Sequence, residues 1–379
     1  MTNRTRDTLW GFLAPITPLA PLLYVFSSLT ALRRAIRNLW SDVPSRYLLL
    51  ALLGASAFGL TLNEDLLDAA ASILALLLFI LFAAYGAWGV EQPKRFLTAL
   101  VLGGGFLGLV VAVARVLELE VTPYGIPVLT HFRDINSRGN VLGMASNGLA
   151  AMIEPAVVGG LGFALLRVRG RVFYLLAAVA GVAGIFVTLS RGSMLGVAVG
   201  TAVLVVLFLA VTRAQWKRII VIVAAAALAV CLLASFTPGI AERIASIVDL
   251  SEHTQRVRIW TGAWHLFLDH PVFGSGPGSF GELYPKYRLP EEWEHATSPH
   301  SLYLYLLTEW GVVGFVIFFA LLARLSVARM LRAPAHVQIV ALAMSVPFWV
   351  HVLVDDLYMP HIALIMGCIA NSGSRRDAG

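Results

Sequence analysis

The chain has 379 residues, of which 58% are hydrophobic and 13% charged, and it carries a formal net charge of +6. A soluble domain devotes about a quarter of its residues to charge, so this balance excludes a water-dissolved globule. The basic surplus falls between apolar blocks and calls for no nucleic acid, and those blocks run for about 18 to 25 residues, enough for a helix to cross a hydrocarbon core of about 30 Å.

In that medium every backbone amide and carbonyl needs an internal partner, so only helices or a closed barrel can cross. Continuous apolar runs, without alternation, select helices. Spans are expected at 9–32, 46–63, 66–89, 95–117, 141–166, 171–189, 193–212, 218–236, 300–324, 336–354 and 357–371. The expected fold is therefore an all-α polytopic membrane protein, a bundle of about 11–12 transmembrane helices. Its parts are the N-terminal transmembrane helices (1–236), one large loop with interfacial helices (237–299), and the C-terminal transmembrane helices with a short tail (300–379).

The orientation follows from the basic residues. Arg33, Arg34, Arg37 and Arg46 occupy one connection, Lys94 and Arg95 another, and Arg167, Arg169 and Arg171 a third. Arg213, Lys217 and Arg218, then Arg324, Arg329 and Arg332, and finally Arg375 and Arg376 continue the series. The opposite connections are poorer, and one carries Glu64 and Asp65. By the positive-inside rule the first set is cytoplasmic and the large loop lies outside. Eleven spans would then leave the N-terminus outside, against the inside-facing Arg4 and Arg6. Pro15, Pro18 and Pro21 offer a break that would split 9–32 into two short passes. No A-x-A-like site follows, so a cleaved signal peptide is not expected.

Within the expected spans, Glu154 and Glu309 are candidate proton-relay groups if the chain transports a solute, and equally could be neutral or paired inside the bundle. Cys231 and Cys368 both sit in apolar runs and read as small core residues. Arg191, in Leu189-Ser-Arg-Gly-Ser-Met194, lies where one apolar run ends and the next begins. Insertion there is costly. A snorkelling anchor would explain it, and so would a planar guanidinium fork gripping phosphate oxygens.

The loop contains His253-Thr-Gln-Arg-Val-Arg-Ile-Trp260 and its continuation to His270. Trp260, Ala263, Trp264 and Phe267 recur at helical spacing, which predicts an amphipathic helix in the membrane interface. Arg256 and Arg258 open it. Next comes Gly274-Ser-Gly-Pro-Gly-Ser-Phe280, whose amides, Gly276 and Gly278 foremost, could form an anion nest or simply a tight turn. His300 begins the following span, and imidazole can lose a proton near neutral pH as a general base must. Asp355 and Asp356 end the next outward span. Arg138, Arg258, Gly276, Gly278, Asp355 and Asp356 are assigned to substrate binding. His300, Arg191 and Arg256 are assigned to catalysis. No metal or cofactor is expected, because no HExxH, Walker loop or carboxylate array competes.

These stretches resemble a known family. Ser190-Arg-Gly-Ser193, Arg256-Val-Arg-Ile-Trp260 with Asp269-His-Pro-Val-Phe-Gly-Ser-Gly-Pro-Gly-Ser-Phe280, and His300-Ser-Leu-Tyr-Leu with Glu309-Trp-Gly-Val-Val-Gly314 are similar to the O-antigen ligase / O-antigen polymerase superfamily. The similarity is dense in motifs over 185–315 and topological elsewhere. The family usually has Asn after the histidine, where this chain has Ser301.

The resemblance implies an inverting, metal-independent glycosyltransferase of the bacterial inner membrane, with the large loop periplasmic. Its donor would be a glycan on undecaprenyl diphosphate, and in the ligase branch its acceptor would be lipid A–core. Arg191 and Arg256 would hold the diphosphate, and His300 would deprotonate the acceptor hydroxyl. Asp355 or Asp356 would orient His300 or the acceptor. A polymerase extending the carrier-linked glycan remains open. A protein O-oligosaccharyltransferase is disfavoured by a chain that ends at Gly379, and a lipid-linked sugar transporter by the absence of visible inverted repeats.

Overall fold

The computed structural model describes residues 2–17, 19–62, 65–116, 146–166, 168–211, 254–290, 296–327, 335–356 and 360–371. Among them every regular element is helical. The helices are α1 (Asn3–Leu13), α2 (Leu19–Phe26), α3 (Leu29–Ser41), α4 (Val43–Leu60), α5 (Leu66–Trp88), α6 (Pro93–Val116), α7 (Ser146–Leu165), α8 (Arg171–Thr188) and α9 (Arg191–Val211). They continue with α10 (Thr254–Asp269), α11 (Phe280–Leu283), α12 (Leu302–Val327), α13 (Ala335–His351) and α14 (Pro360–Asn371). Expected span 218–236, residues 237–253 of the loop, Cys231 and Arg138 lie outside the described residues.

Seven described helices are long and apolar enough to cross a membrane, namely α4 to α9 and α12. α13 and α14 are shorter but pack inside the same bundle. α7 is buried along its whole span and forms the centre, with α6, α8, α9 and α13 against it. Short polar residues start several helices by accepting their first free amides. Asp42 accepts from the Ser45 amide at the start of α4, and Asp65 from those of Leu67 and Asp68 at the start of α5.

The N-terminus departs from expectation, because 9–32 is not one span. α1 has 11 residues and α2 has 8, so at 1.5 Å per residue they reach only about 16 and 12 Å. α1 runs inward beside α6, with Phe12 against Phe106 and Gly11 against the Phe96 backbone. α2 brings the chain back, so that the Tyr24 hydroxyl donates to Asp7 at 2.9 Å. The two helices enter and return on one face, and α3 leaves α2 at 90°. α3 buries Ala31, Ala35 and Leu39, while Arg34 pairs with Glu91 at 3.1 Å.

That face carries Arg6, Arg34 and Arg324, each paired with a carboxylate. Asp7 is buried and accepts from Arg6, Tyr24 and the amides of Glu91 and Gln92. Asn371 donates to the Val90 carbonyl at 2.6 Å, so the last described residue reaches the same place. Arg324 makes a two-pronged contact with Asp42, at 3.0 and 2.6 Å. The chain's beginning therefore lies with the basic residues, which removes the conflict an odd number of crossings would create.

Candidate functional site

On the opposite face the bundle is closed by the end of α13 and the turn that follows it, residues 352–356. α9 begins against this turn. Ser190 accepts from the Ser193 amide at 3.4 Å and so caps α9, whose first residue is Arg191. Gly192 lies so close to His351 and Val354 that a Cβ there would overlap both side chains. The residue before the cap, Leu189, has φ of +54°.

The other two motifs reach the same turn. From α10, Arg256 Nη1 donates to the Val354 carbonyl at 2.6 Å. From the start of α12, the Leu302 amide lies 3.0 Å from the carbonyls of both Val352 and Asp355. His300, two residues earlier, has φ of +47°. Leu189 and His300 are the non-glycine residues at positive φ among those described. Such backbone costs about 1–3 kcal/mol and persists where surrounding structure enforces it, commonly at functional sites.

His300, Asp355 and Asp356 bring one ring nitrogen and two carboxylate oxygens within 4.8 Å of one another. Burial raises the Asp356 carboxyl above its ordinary value; the Ser298 hydrogen bond and the His300 charge pull the other way, while Asp355 adds to the rise. Asp355 accepts from Asn147 at the start of α7 and from the Asp356 amide. The three side chains can share a proton or hold a cation, and they put a basic nitrogen beside two acceptors. Ser301 accepts from the Leu304 amide at 3.5 Å. It thus caps α12, a task that Ser and Asn perform alike, which makes its place in the motif intelligible.

Arg258 follows Arg256 by two positions, which puts it about 200° around the same helix. The buried face of α10 is Ile259, Ala263 and Leu266, set against Phe280, Tyr284 and Ala296. Of the face expected to lie in the membrane interface, Ala263 and Phe267 turn into the protein while Trp264 stays at the surface. Trp264 is 46% exposed and joins Val257 and Leu268 in an outward apolar stripe, because the loop supplies α10 with a small core of its own.

Of the two readings of the glycine loop, the structure shows the tight turn. The Gly278 amide donates to Glu309 Oε2 at 2.7 Å, and that of Phe280 lies 3.5 Å from Oε1. The nest is filled by the chain's own carboxylate, which also accepts from Ser72 at 3.0 Å. α12 breaks at Gly311, where φ is +63°. An unbroken helix would bond the amides of Val312 and Val313 to the carbonyls of Thr308 and Glu309. Instead those amides donate to Pro271 and Val272, while the amides of Ser275 and Gly276 donate to Thr308 and Glu309. The glycine loop thus satisfies the broken helix from both sides, and Gly274 and Gly311 leave no room for a Cβ.

Sequence reasoning passed over His351 and Asn147, quoted Ser193 without a role, and left Glu154 as a relay or a paired group; the structure pairs it. His351 Nδ1 lies 2.7 Å from Glu154 Oε1, and the Ser193 hydroxyl lies 2.6 Å from that oxygen and 3.0 Å from the nitrogen. Asn147 and Glu154, seven residues apart, share a face of α7. Polar residues at helical spacing inside an apolar run were the available signal.

Residues 176–319 match the profile of a family described as O-antigen ligase. The match contains Arg191, Arg256, Arg258, Gly276, Gly278, His300 and Glu309, and ends before Asp355. No curated protein matches the chain.

Proposed function

On the premise that residues 176–319 carry the O-antigen ligase superfamily's domain, we propose that this membrane protein is an O-antigen ligase. It transfers a glycan from undecaprenyl diphosphate to lipid A–core at the periplasmic face of a bacterial inner membrane. The observation that carries this reading is the meeting of three distant motifs at residues 352–356: the cap of α9, Arg256, and the His300 segment.

In this reading Arg191 and Arg256 grip the diphosphate, since guanidinium forks match phosphate oxygens. Arg258 and Arg138 assist in binding the substrate. The acceptor hydroxyl attacks the anomeric carbon from the side opposite the diphosphate. The new glycosidic bond forms as the bond from that carbon to the diphosphate oxygen breaks. Undecaprenyl diphosphate leaves with the electron pair, His300 takes the hydroxyl proton, and the configuration inverts. Asp355 and Asp356 orient the imidazole and stabilise its charged form. Fixed cationic donors around a leaving oxyanion, in a partly dehydrated site, supply the electrostatic stabilisation. Gly276 and Gly278 act by shaping the loop, because their surroundings are committed to Glu309.

The test is transfer by purified protein from carrier-linked glycan to lipid A–core, with EDTA and without nucleotide. Glycosylated lipid A–core is the expected product. Elongated carrier-linked glycan would replace the ligase reading with polymerase, and activity that EDTA removes and Mg²⁺ restores would overturn the metal-free mechanism.

A further inference from the structure

The mouth of the site is held from below by a buried polar cluster to which the transfer mechanism assigns no task. Glu154 on α7, Ser193 on α9 and His351 at the end of α13 have side chains 1% exposed or less. Their polar atoms form a triangle with edges of 2.6, 2.7 and 3.0 Å. His351 Nε2 lies 3.4 Å from the Ser190 hydroxyl. Glu154 Oε2, also buried, has no hydrogen-bond partner among the described residues.

Burying such groups in a bundle is expensive, and packing alone does not ask for them. Gly192, Gly196 and Gly200 already let α9 lie directly on α13, with Pro347 and His351 filling the space a Cβ would need. A small-residue stripe permits close approach but leaves the two helices able to slide by a turn. A directional triad does not. Its two outer members sit at the points that matter, since Ser193 is two residues from Arg191 and His351 is three residues before Val354, the acceptor for Arg256.

We infer that Glu154, His351 and Ser193 form a clamp that sets the register of α9 against α13, and through it the position of Arg191 relative to Arg256 and His300. They are positioning residues. The inference rests on the proposed role of Arg191 for its effect on activity, but the register itself does not.

Two measurements test it. In the first, Glu154→Ala lowers transfer about 100-fold, the cost of displacing a reacting group by about 1 Å, while Glu154→Gln, which keeps an acceptor at Oε1, restores most of it. The alanine change costs less than about threefold when Arg191 is already lysine, because the group it positions is gone. Equal losses in both backgrounds, or full activity in Glu154→Ala, would overturn the clamp. In the second, spin labels at the exposed positions Leu195 and Leu353 report the distance between the two helix ends. The distribution broadens in Glu154→Ala and narrows again in Glu154→Gln; an unchanged distribution overturns the clamp without touching the ligase reading. A parent protein that transfers no glycan, with labels that still respond, overturns the ligase reading and leaves the clamp standing.

Discussion

Two charged clusters sit at opposite ends of the same bundle, and they are built differently. Around Asp7 a buried carboxylate receives Arg6, the Tyr24 hydroxyl and two backbone amides. Every partner comes from the chain, the backbone is relaxed, and the cluster ties α1, α2 and the start of α6 together. Around residues 352–356 two carboxylates crowd one imidazole, the backbone at Leu189 and His300 is forced to positive φ, and burial makes Asp356 a weaker acid than an ordinary aspartate. Like charges side by side and enforced backbone are what folding alone would remove. A closed network reads as structure, and a crowded one at a bundle mouth reads as a place for substrate.

Substitutions should separate the two. His300→Ala is expected to lower transfer by about 10²–10⁴-fold, the usual worth of a positioned base, with the protein still in the membrane and its thermal midpoint little changed. Near-normal transfer would remove His300 as the base. Arg191→Lys should lower it by roughly 10²–10³-fold, because a point charge does not replace the fork at a developing oxyanion; a working lysine variant would show that charge suffices. Asp7→Ala should do the reverse. Stripping the partner from buried Arg6 costs about 3–5 kcal/mol, read as a lower unfolding midpoint, while folded molecules keep their turnover. Loss of turnover without loss of stability would erase the distinction between the clusters.

The smallest effect belongs to the exposed pair Asp42 and Arg324. The Arg324 hydrogen bond holds the Asp42 carboxyl down from 3.8 to about 2. A carboxyl depressed in the folded state stabilises it above its unfolded value, and that support is lost as pH falls from about 4 through about 2. Asp42→Asn should therefore flatten the acid limb of the stability curve slightly, by no more than about 1 kcal/mol. A pH dependence identical to the parent would show that the pair contributes nothing.

The parts legible in advance are those that local pattern dictates. Spans such as Leu66–Trp88 and Arg171–Thr188 announce themselves by length and apolarity, and Ser190-Arg-Gly-Ser193 and His300 stood out as polar stretches beside apolar runs. What stayed hidden depends on distant partners. The glycine loop could be read as an anion nest or as a tight turn, because nothing local reveals that Glu309 reaches back to the amides of Gly278 and Phe280 across a broken helix. His351 and Glu154 are 197 residues apart, and neither motif nor periodicity joins them. The N-terminal hairpin was half visible. Its prolines marked a break, but only the bond from Tyr24 to Asp7 shows that the chain turns back instead of crossing.

The most direct test is a density map of the protein bound to undecaprenyl diphosphate in a lipid nanodisc. The account predicts diphosphate density at the mouth beside residues 352–356, within about 3 Å of the guanidinium groups of Arg191 and Arg256, with His300 facing the position of the anomeric carbon. Diphosphate lodged elsewhere, with those three side chains turned away from it, would contradict it.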